Sequence, residues 1–335
     1  MGGTAQLRRH NAELIREVLH GGALWTKDPL ARRTGLSPGT CRTILLEMLK
    51  QGEVTEEKPG KASDGRPARN FRCNPDYALM ALLGLSYENG LRFLRFSLAD
   101  LTGAERHHEE EILPAITLET VCSFLSERLA GRNNIRVLVV SYPGVVHHDG
   151  TIGHWGDIEE LFGVELQRIL QERFSLPVAI DNDINLAAVG YSGGTGNLAY
   201  IGFPEKHLPG CGLIVDGHLL RGTRGFAGEI IYIQNRTWEE QKDAISKPHG
   251  IPGMILPVLR AITALLDPES IIIAGRDISA GEQQFILSER EKLFMPEILP
   301  ELIFLPEYSS DNRKGMIETG RALLRSWNGH SCFRS

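Results

Sequence analysis

The chain has 335 residues, 42% of them hydrophobic and 23% charged, which suits about two or three ordinary domains and excludes large-scale disorder. No apolar run approaches the ~20 residues of a membrane span, and the opening residues lack the apolar stretch of a signal peptide, so the expectation is a cytoplasmic protein with no membrane partner. Charge is uneven: residues 1–75 hold 13 Lys and Arg against 8 Asp and Glu (+5), so a total of −6 leaves −11 for the remainder, and a basic end on an acidic body suits a nucleic-acid contact confined to that end.

Residues 11–20 read as an amphipathic helix, with Leu14, Ile15, Val18 and Leu19 in one stripe, stopped by Gly21-Gly22. A short second helix follows, with Thr26 as N-cap and Gly35 as C-cap. Ser37-Pro38 begins a third, with Ser37 as N-cap and Pro38 in the first turn, where its missing N–H is harmless. Cys41, Ile44, Leu45, Met48 and Leu49 form its apolar face. Two short helices around a Gly-containing turn predict a helix-turn-helix whose second helix enters the major groove. Thr40, Arg42 and Thr43 on the polar face are placed at base edges or nearby phosphates. Thr26 and Ser37, at the helix starts, join this DNA-binding set.

Residues 54–57 and 68–73 read as two strands flanking a basic, turn-rich tip, a β-hairpin wing. Arg66, in Gly-Arg-Pro, is a candidate for a minor groove. Lys58, Lys61 and Arg69 are candidates for phosphates. The competing reading of this stretch is a solvated linker.

From residue 78 onward β and α signals alternate, which predicts an α/β fold with largely parallel sheets. Residues 79–103 resemble two or three strands joined by Gly/Asn turns. Residues 118–130, 158–174 and 251–266 read as helices; residues 136–141, 177–180, 197–203, 211–215 and 270–274 read as strands. Ligands of such sheets bind at the carboxyl ends of strands, and Asp181-Asn182-Asp183-Ile184-Asn185 falls at one. Asn182 and Asp183 are read as a site for hydroxyl groups, with Asp183 suited to act as a base; Asp181 is read as a helix cap. The segment 216–229 is glycine-rich and ends in Glu229, whose carboxylate suits a sugar diol.

The order of these motifs resembles the ROK family (repressors, open reading frames and sugar kinases): helix-turn-helix, Gly-Arg-Pro wing, Tyr-Pro-Gly, Asp-Asn-Asp-Ile-Asn, a Gly-rich loop with Ala-Gly-Glu, and Asp-Pro-Glu-Ser-Ile-Ile-Ile-Ala-Gly. The resemblance covers residues 8–325. It implies a winged helix-turn-helix (residues 1–75) followed by a two-lobed, actin-like, ribonuclease-H-like sugar-kinase fold. Its first lobe spans 76–190 and its second 191–335, with the last helix packing back on the first lobe. It implies Asn182, Asp183 and Glu229 as sugar ligands and puts His154 and Trp155 near the sugar. The family's phosphate loop Asp-x-Gly-Gly-Thr is replaced by Gly84-Leu85-Ser86-Tyr87-Glu88-Asn89-Gly90. The second, Gly-Thr-Gly-Ile-Gly, is replaced by His207-Leu208-Pro209-Gly210-Cys211-Gly212. Phosphoryl transfer depends on such positioning, so no kinase activity is expected and Asp183 is a vestigial base.

The family's zinc module is missing as well. Tyr232 stands near its His, no Cys occurs between Cys211 and Cys332, and a closed zinc site needs four ligands; no metal and no cofactor are expected. The resulting expectation is a carbohydrate-gene regulator, more a repressor than an activator. It binds double-stranded DNA at an inverted repeat as a homodimer or homotetramer and responds to a sugar or sugar phosphate. The alternatives are a sugar kinase with an appended DNA-binding domain and a ligand-blind DNA-binding protein.

Overall fold

The computed structural model describes residues 2–57, 69–204, 208–247 and 249–328. Lys58, Lys61 and Arg66 therefore lie outside the described residues. The chain begins with helix α1 (Gly2–Leu19), strand β1 (Trp25–Thr26), helices α2 (Lys27–Thr34) and α3 (Pro38–Gln51), and strands β2 (Val54–Glu57) and β3 (Asn70–Cys73). Helix α1 starts nine residues before the apolar periodicity predicts; among its described side chains the first buried one is Ile15. Ile15, Leu19, Leu30, Ala31, Cys41, Ile44, Leu45 and Met48 form one core with Val54 and Phe71. Each fully buried Leu or Ile there stabilises the module by ~1.5–3 kcal/mol relative to an exposed one.

Local chemistry sets the helix ends. Gly35 (φ 69°) closes α2 in the left-handed region, and the Ser37 hydroxyl accepts from the Thr40 N–H at 3.1 Å to open α3. Thr26 occupies the N-cap position of α2 without a side-chain cap bond, because it sits in β1, paired with Asn70. The small sheet runs β1-β3-β2, antiparallel throughout.

The body continues with β4 (Leu79–Glu88), β5 (Leu91–Asp100), β6 (Glu105–Leu113), α4 (Leu118–Leu129), β7 (Ile135–Tyr142), β8 (Gly144–Val146), β9 (Ile152–Gly156), α5 (Leu166–Phe174) and β10 (Val178–Asn182). Then come α6 (Asp183–Ser192), β11 (Leu198–Gly202), β12 (Gly210–Val215), β13 (His218–Leu219), α7 (Trp238–Ile245), α8 (Gly250–Leu266), β14 (Ser270–Ala274), α9 (Ala280–Leu293), β15 (Glu301–Leu305) and α10 (Ser309–Asn328). Two five-stranded sheets result, β10-β7-β4-β5-β6 and β13-β12-β11-β14-β15.

Both sheets are mixed, which corrects the expectation of largely parallel ones. Strands β4, β7 and β10 are parallel, whereas β4, β5 and β6 are antiparallel. The second sheet repeats the arrangement: β11, β14 and β15 are parallel, and β12 and β13 antiparallel. Asn89 and Gly90 both have positive φ, 51° and 83°, the geometry of a two-residue hairpin turn, and so short a link joins only antiparallel strands.

Helices α6 and α10 lie between the two sheets. Leu186, Met316 and Ile317 pack on Met80, Leu82, Val137 and Val139 of the first sheet; Ile184, Ala187 and Ala188 pack on Leu198, Tyr200 and Ile272 of the second. The two helices touch through glycines. A Cβ on Gly315 would lie 1.7 Å from the Leu186 carbonyl oxygen, and one on Gly190 2.0 Å from that of Asp311. This close approach seats the first turns of α10 along α6.

Candidate functional site

A cleft of about 630 Å³ opens where β10 gives way to α6. Asn182, the last residue of β10, caps the helix: its Oδ1 accepts from the backbone N–H of Ile184 (2.9 Å) and Asn185 (3.1 Å), and its Nδ2 donates to the Gly144 carbonyl at 3.0 Å. The cap assigned to Asp181 from sequence is thus supplied by Asn182. Asp181 instead accepts from the Asn182 N–H (2.8 Å) and Asn185 Nδ2 (3.0 Å) and ion-pairs with Arg221. Asn182 still lines the cleft.

Asp183 is the most tightly defined group. Its Oδ1 accepts from the Ile184 N–H at 2.9 Å, and Tyr308 donates its hydroxyl to Oδ2 at 3.2 Å. Asn312 Nδ2 spans to the Asp183 carbonyl (2.8 Å) and to Ser141 Oγ (2.9 Å), tying both helices to the end of β7. Burial pushes the Asp183 carboxyl up to about 6, against the pull of the Tyr308 and Ile184 bonds. Burial first, and then the Asp183 carboxylate, raises the Tyr308 phenol well above its ordinary range.

Glu229 reaches the cleft from the second lobe. Gly228 before it has φ 93°, and a Cβ there would lie 1.9 Å from the Cys211 carbonyl oxygen, so only glycine lets the chain approach β12 this closely. The Glu229 carboxyl has no hydrogen-bond partner among the described residues, and burial alone pushes it up to about 7. Asn182, Asp183 and Glu229 therefore face one cavity, an arrangement of acceptors suited to hydroxyl donors.

His154 stands apart. It is exposed, packs edge-on against Phe162 at 5.9 Å, and is not among the residues that line the cleft. Successive residues of a strand face opposite ways, so Trp155, its neighbour in β9, takes the cleft side. Trp155 meets Trp238, with ring centroids 5.5 Å apart and planes tilted by 50°. Trp238 escaped the sequence reading. The signal for its placement was the Thr-x-x-Glu pattern, since Thr237 and Glu240 form a capping box that fixes Trp238 as the first residue of α7.

The hairpin β4–β5 supplies Ser86, Glu88 and Arg95 to the cleft. Arg95 Nη1 donates to Ser86 Oγ at 2.7 Å and Glu88 Oε1 at 2.6 Å. Burial works to raise the Glu88 carboxyl, but Arg95 prevails and holds it below its ordinary range. Across the cleft, Gly212 serves packing: a Cβ there would lie 2.6 Å from the Ala188 Cβ and 2.9 Å from the Ile184 carbonyl oxygen.

At the other end of the chain, Arg42 and Thr43 are exposed on α3. Arg42 has no ion-pair partner among the described residues. The Thr43 hydroxyl donates to the Gly39 carbonyl at 3.1 Å, and the Thr40 hydroxyl lies 2.9 Å from Ser37 Oγ. Arg69 ion-pairs with Glu56 at 3.2 Å. Among the described residues, no three His, Cys, Asp or Glu side chains gather as a metal site, and no helix is long and apolar enough to cross a membrane.

The sequence model of the ROK family matches residues 94–240, the stretch that holds Trp155, Asn182, Asp183, Glu229 and Trp238. The chain carries a ROK-family domain. The chain is 27% identical over 237 residues to the xylose repressor of Bacillus subtilis (strain 168), covering 65% of this chain and 58% of that one. It is 24% identical over 245 residues to the DNA-binding transcriptional repressor Mlc of Escherichia coli (strain K12), covering 68% and 59%. The matches thus span under two thirds of these relatives' length. Among solved structures, a ROK family transcriptional regulator described as a homologue of E. coli Mlc superposes with TM-score 0.65 at 18% identity, covering 95% of this chain and 97% of that one. The superposition extends the shared α/β architecture beyond the ROK domain to nearly the whole chain.

Proposed function

We propose that the chain is a transcriptional repressor of carbohydrate genes that binds DNA through its first 75 residues and senses a sugar or sugar derivative in the ROK-domain cleft without phosphorylating it. The observation that carries this reading is one helix with two addresses. At its start, Tyr308 and Asn312 hold Asp183. Toward its end, Leu324 packs on the core of the N-terminal module, and Arg321 donates to the Leu101 carbonyl at 2.7 Å. At 1.5 Å per residue, α10 spans ~30 Å. A ligand that prefers one placement of α10 biases the N-terminal module by its difference in affinity for the two placements. The relatives named xylose repressor and Mlc support the same reading.

In that reading residues 1–75 are a winged helix-turn-helix, with α2 and α3 as its two helices and β2–β3 as the base of the wing. Thr40, Arg42 and Thr43 face the major groove, and Arg69, Lys58, Lys61 and Arg66 serve the wing. Two copies bind an inverted repeat with half-sites ~34–36 Å apart. A duplex pool mixed with the protein tests this: retention that weakens steeply with salt supports it, and salt-independent or absent retention contradicts it.

One observation favours a second reading, a sugar kinase. The Asp183 carboxyl, at about 6, suits a general base near neutral pH. Against it, the hairpin expected to replace the first phosphate loop carries Glu88, engaged by Arg95 at 2.6 Å, and the space beside Gly212 is taken by Ala188 and Ile184. ATP consumed at ordinary kinase rates in a sugar panel would establish the kinase; none is expected.

A further inference from the structure

The reading above leaves the Trp155–Trp238 pair unused. Trp155 is the penultimate residue of β9 in the first lobe, and Trp238 opens α7 of the second; both line the cleft. Their backbones are fixed. A Cβ on Gly144 would lie 2.5 Å from the Trp155 carbonyl oxygen, and one on Gly156 2.8 Å from that of Pro143, so β8 and β9 are clamped together. Trp238 is held by its capping box and packs on the second-lobe core, with Lys242 Nζ 4.7 Å from its ring centroid. Yet Trp155 remains 43% exposed, an open aromatic face on a rigid support beside three polar sugar-binding candidates.

Charge narrows what such a site accepts. The cleft's arginines are each matched by a carboxylate: Arg95 by Glu88 and Glu110, Arg276 by Glu307, Arg313 by Glu105. Asp183 and Glu229 add acid without adding a cation. A phosphate group would meet no unpaired base among these and would face carboxylates instead. The volume of about 630 Å³ lies well within the ~300–1,000 Å³ of sites that bury a drug-sized ligand, which a single pyranose only partly fills. Aromatic faces take the apolar face of a ring and exclude water from it.

We propose that Trp155 and Trp238 form an aromatic subsite for a second ring, so that the effector is a neutral glycoside, a disaccharide or aryl glycoside, with its terminal sugar at Asp183 and Glu229. This rests on the reading of the cleft as a sugar site. It excludes a free monosaccharide or a sugar phosphate as the preferred ligand. The subsite bridges the two lobes, so a ligand seated on it couples to their relative placement.

Calorimetric titration of the full chain tests this with glucose, xylose, hexose phosphates, maltose, cellobiose, xylobiose and phenyl glucosides. At least one glycoside is expected to bind about tenfold or more tightly than its parent monosaccharide and than any phosphate. Trp155→Ala and Trp238→Ala are each expected to remove most of that advantage by weakening the glycoside far more than the monosaccharide; Trp155→Phe and Trp238→Phe keep it. Unchanged thermal unfolding of each variant separates this from misfolding. A monosaccharide or phosphate bound as tightly as its glycosides, or tryptophan variants that weaken both alike, overturns the subsite and leaves sugar sensing intact. Binding of no sugar at all overturns both, while duplex retention by the same preparation reports separately on the DNA-binding half.

Discussion

The Tyr308 hydroxyl donates to Asp183 Oδ2 at 3.2 Å across 125 residues of sequence, joining the entry to α10 to the first turn of α6. Both helices meet through glycines, so this bond sits in a junction with little slack. Tyr308→Phe removes a donor to a buried carboxylate, a bond worth ~1.5–3 kcal/mol when the acceptor is charged. The Asp183 carboxyl already titrates at about 6, above its ordinary range; its contribution to stability is full below the unfolded value and lost as pH rises through 6. Without Tyr308 it rises further. Chemical denaturation is therefore expected to show a loss of ~1–3 kcal/mol at pH 8 and a smaller one at pH 5, and an equal loss at both would contradict the account.

Glu229 gives the same sign without a partner. Burial raises its carboxyl to about 7, so the native state holds a proton that the unfolded chain releases near its ordinary ~4.3, and stability falls as pH rises from there through 7. Glu229→Gln replaces the ionised form with a neutral one of similar shape. Its melting temperature is expected to exceed that of the parent at pH 8, by a stability gain on the order of 1–3 kcal/mol, and to match it at pH 4.5. Loss of stability at pH 8 would show that the Glu229 carboxylate is satisfied by groups in its surroundings.

His20 has the opposite sign. Burial, then Arg321, Arg16 and Arg325, push its imidazole down to about 3. Below the ordinary ~6.5 the unfolded chain binds a proton that native His20 refuses, so stability falls as pH drops from there toward 3, by at most ~1.4 kcal/mol per pH unit. His20→Gln is expected to flatten this slope relative to the parent. Because two of the three arginines belong to α10, the acid transition of the parent should loosen the contact between α10 and α1, visible as faster amide exchange at residues 15–20. Parallel slopes for parent and variant would contradict the assignment.

On α3, Arg42 is an exposed cation near the helix start with no ion-pair partner among the described residues. Arg42→Ala is expected to weaken duplex binding by ~1–3 kcal/mol if it reads a base edge, or to lower the salt slope by ~1 if it holds a phosphate. Arg69→Ala should matter less, because Arg69 already ion-pairs with Glu56 and exposed pairs hold ~0–1 kcal/mol. Filter binding across a salt series separates these outcomes; an Arg42→Ala variant indistinguishable from the parent would remove α3 from the interface.

How far the sequence announces this structure depends on the range of the interaction. The Ser37 cap, the Gly35 stop and the apolar face of α3 are local, and they are plain in the spacing. So is Ser270–Ala274, a run of apolar residues between turn signals that forms β14. The polar cluster after β10 is visible as a cluster, yet which member caps α6 depends on the residue at which the helix begins, and Asn182, not Asp181, immediately precedes it. His154 and Trp155 are adjacent in sequence and opposite in space, and only the strand register decides which enters the cleft. The antiparallel β4–β5 pair of the first sheet follows from the turn Asn89-Gly90, and the β12–β13 pair of the second from Asp216-Gly217, legible signals outweighed by the β/α alternation around them. Tyr308 and Asn312 are set by contacts between distant segments, and no periodicity encodes those.

In the proposed function this ROK-domain protein reads DNA. The most direct measurement is selection of genomic fragments from the source organism by the purified full chain, followed by sequencing. Enrichment of a single inverted-repeat motif near genes of sugar uptake or breakdown is expected, with half-sites about one helical turn apart and enrichment lost in Arg42→Ala. Fragments recovered without a shared motif, or a motif equally enriched by Arg42→Ala, would contradict it.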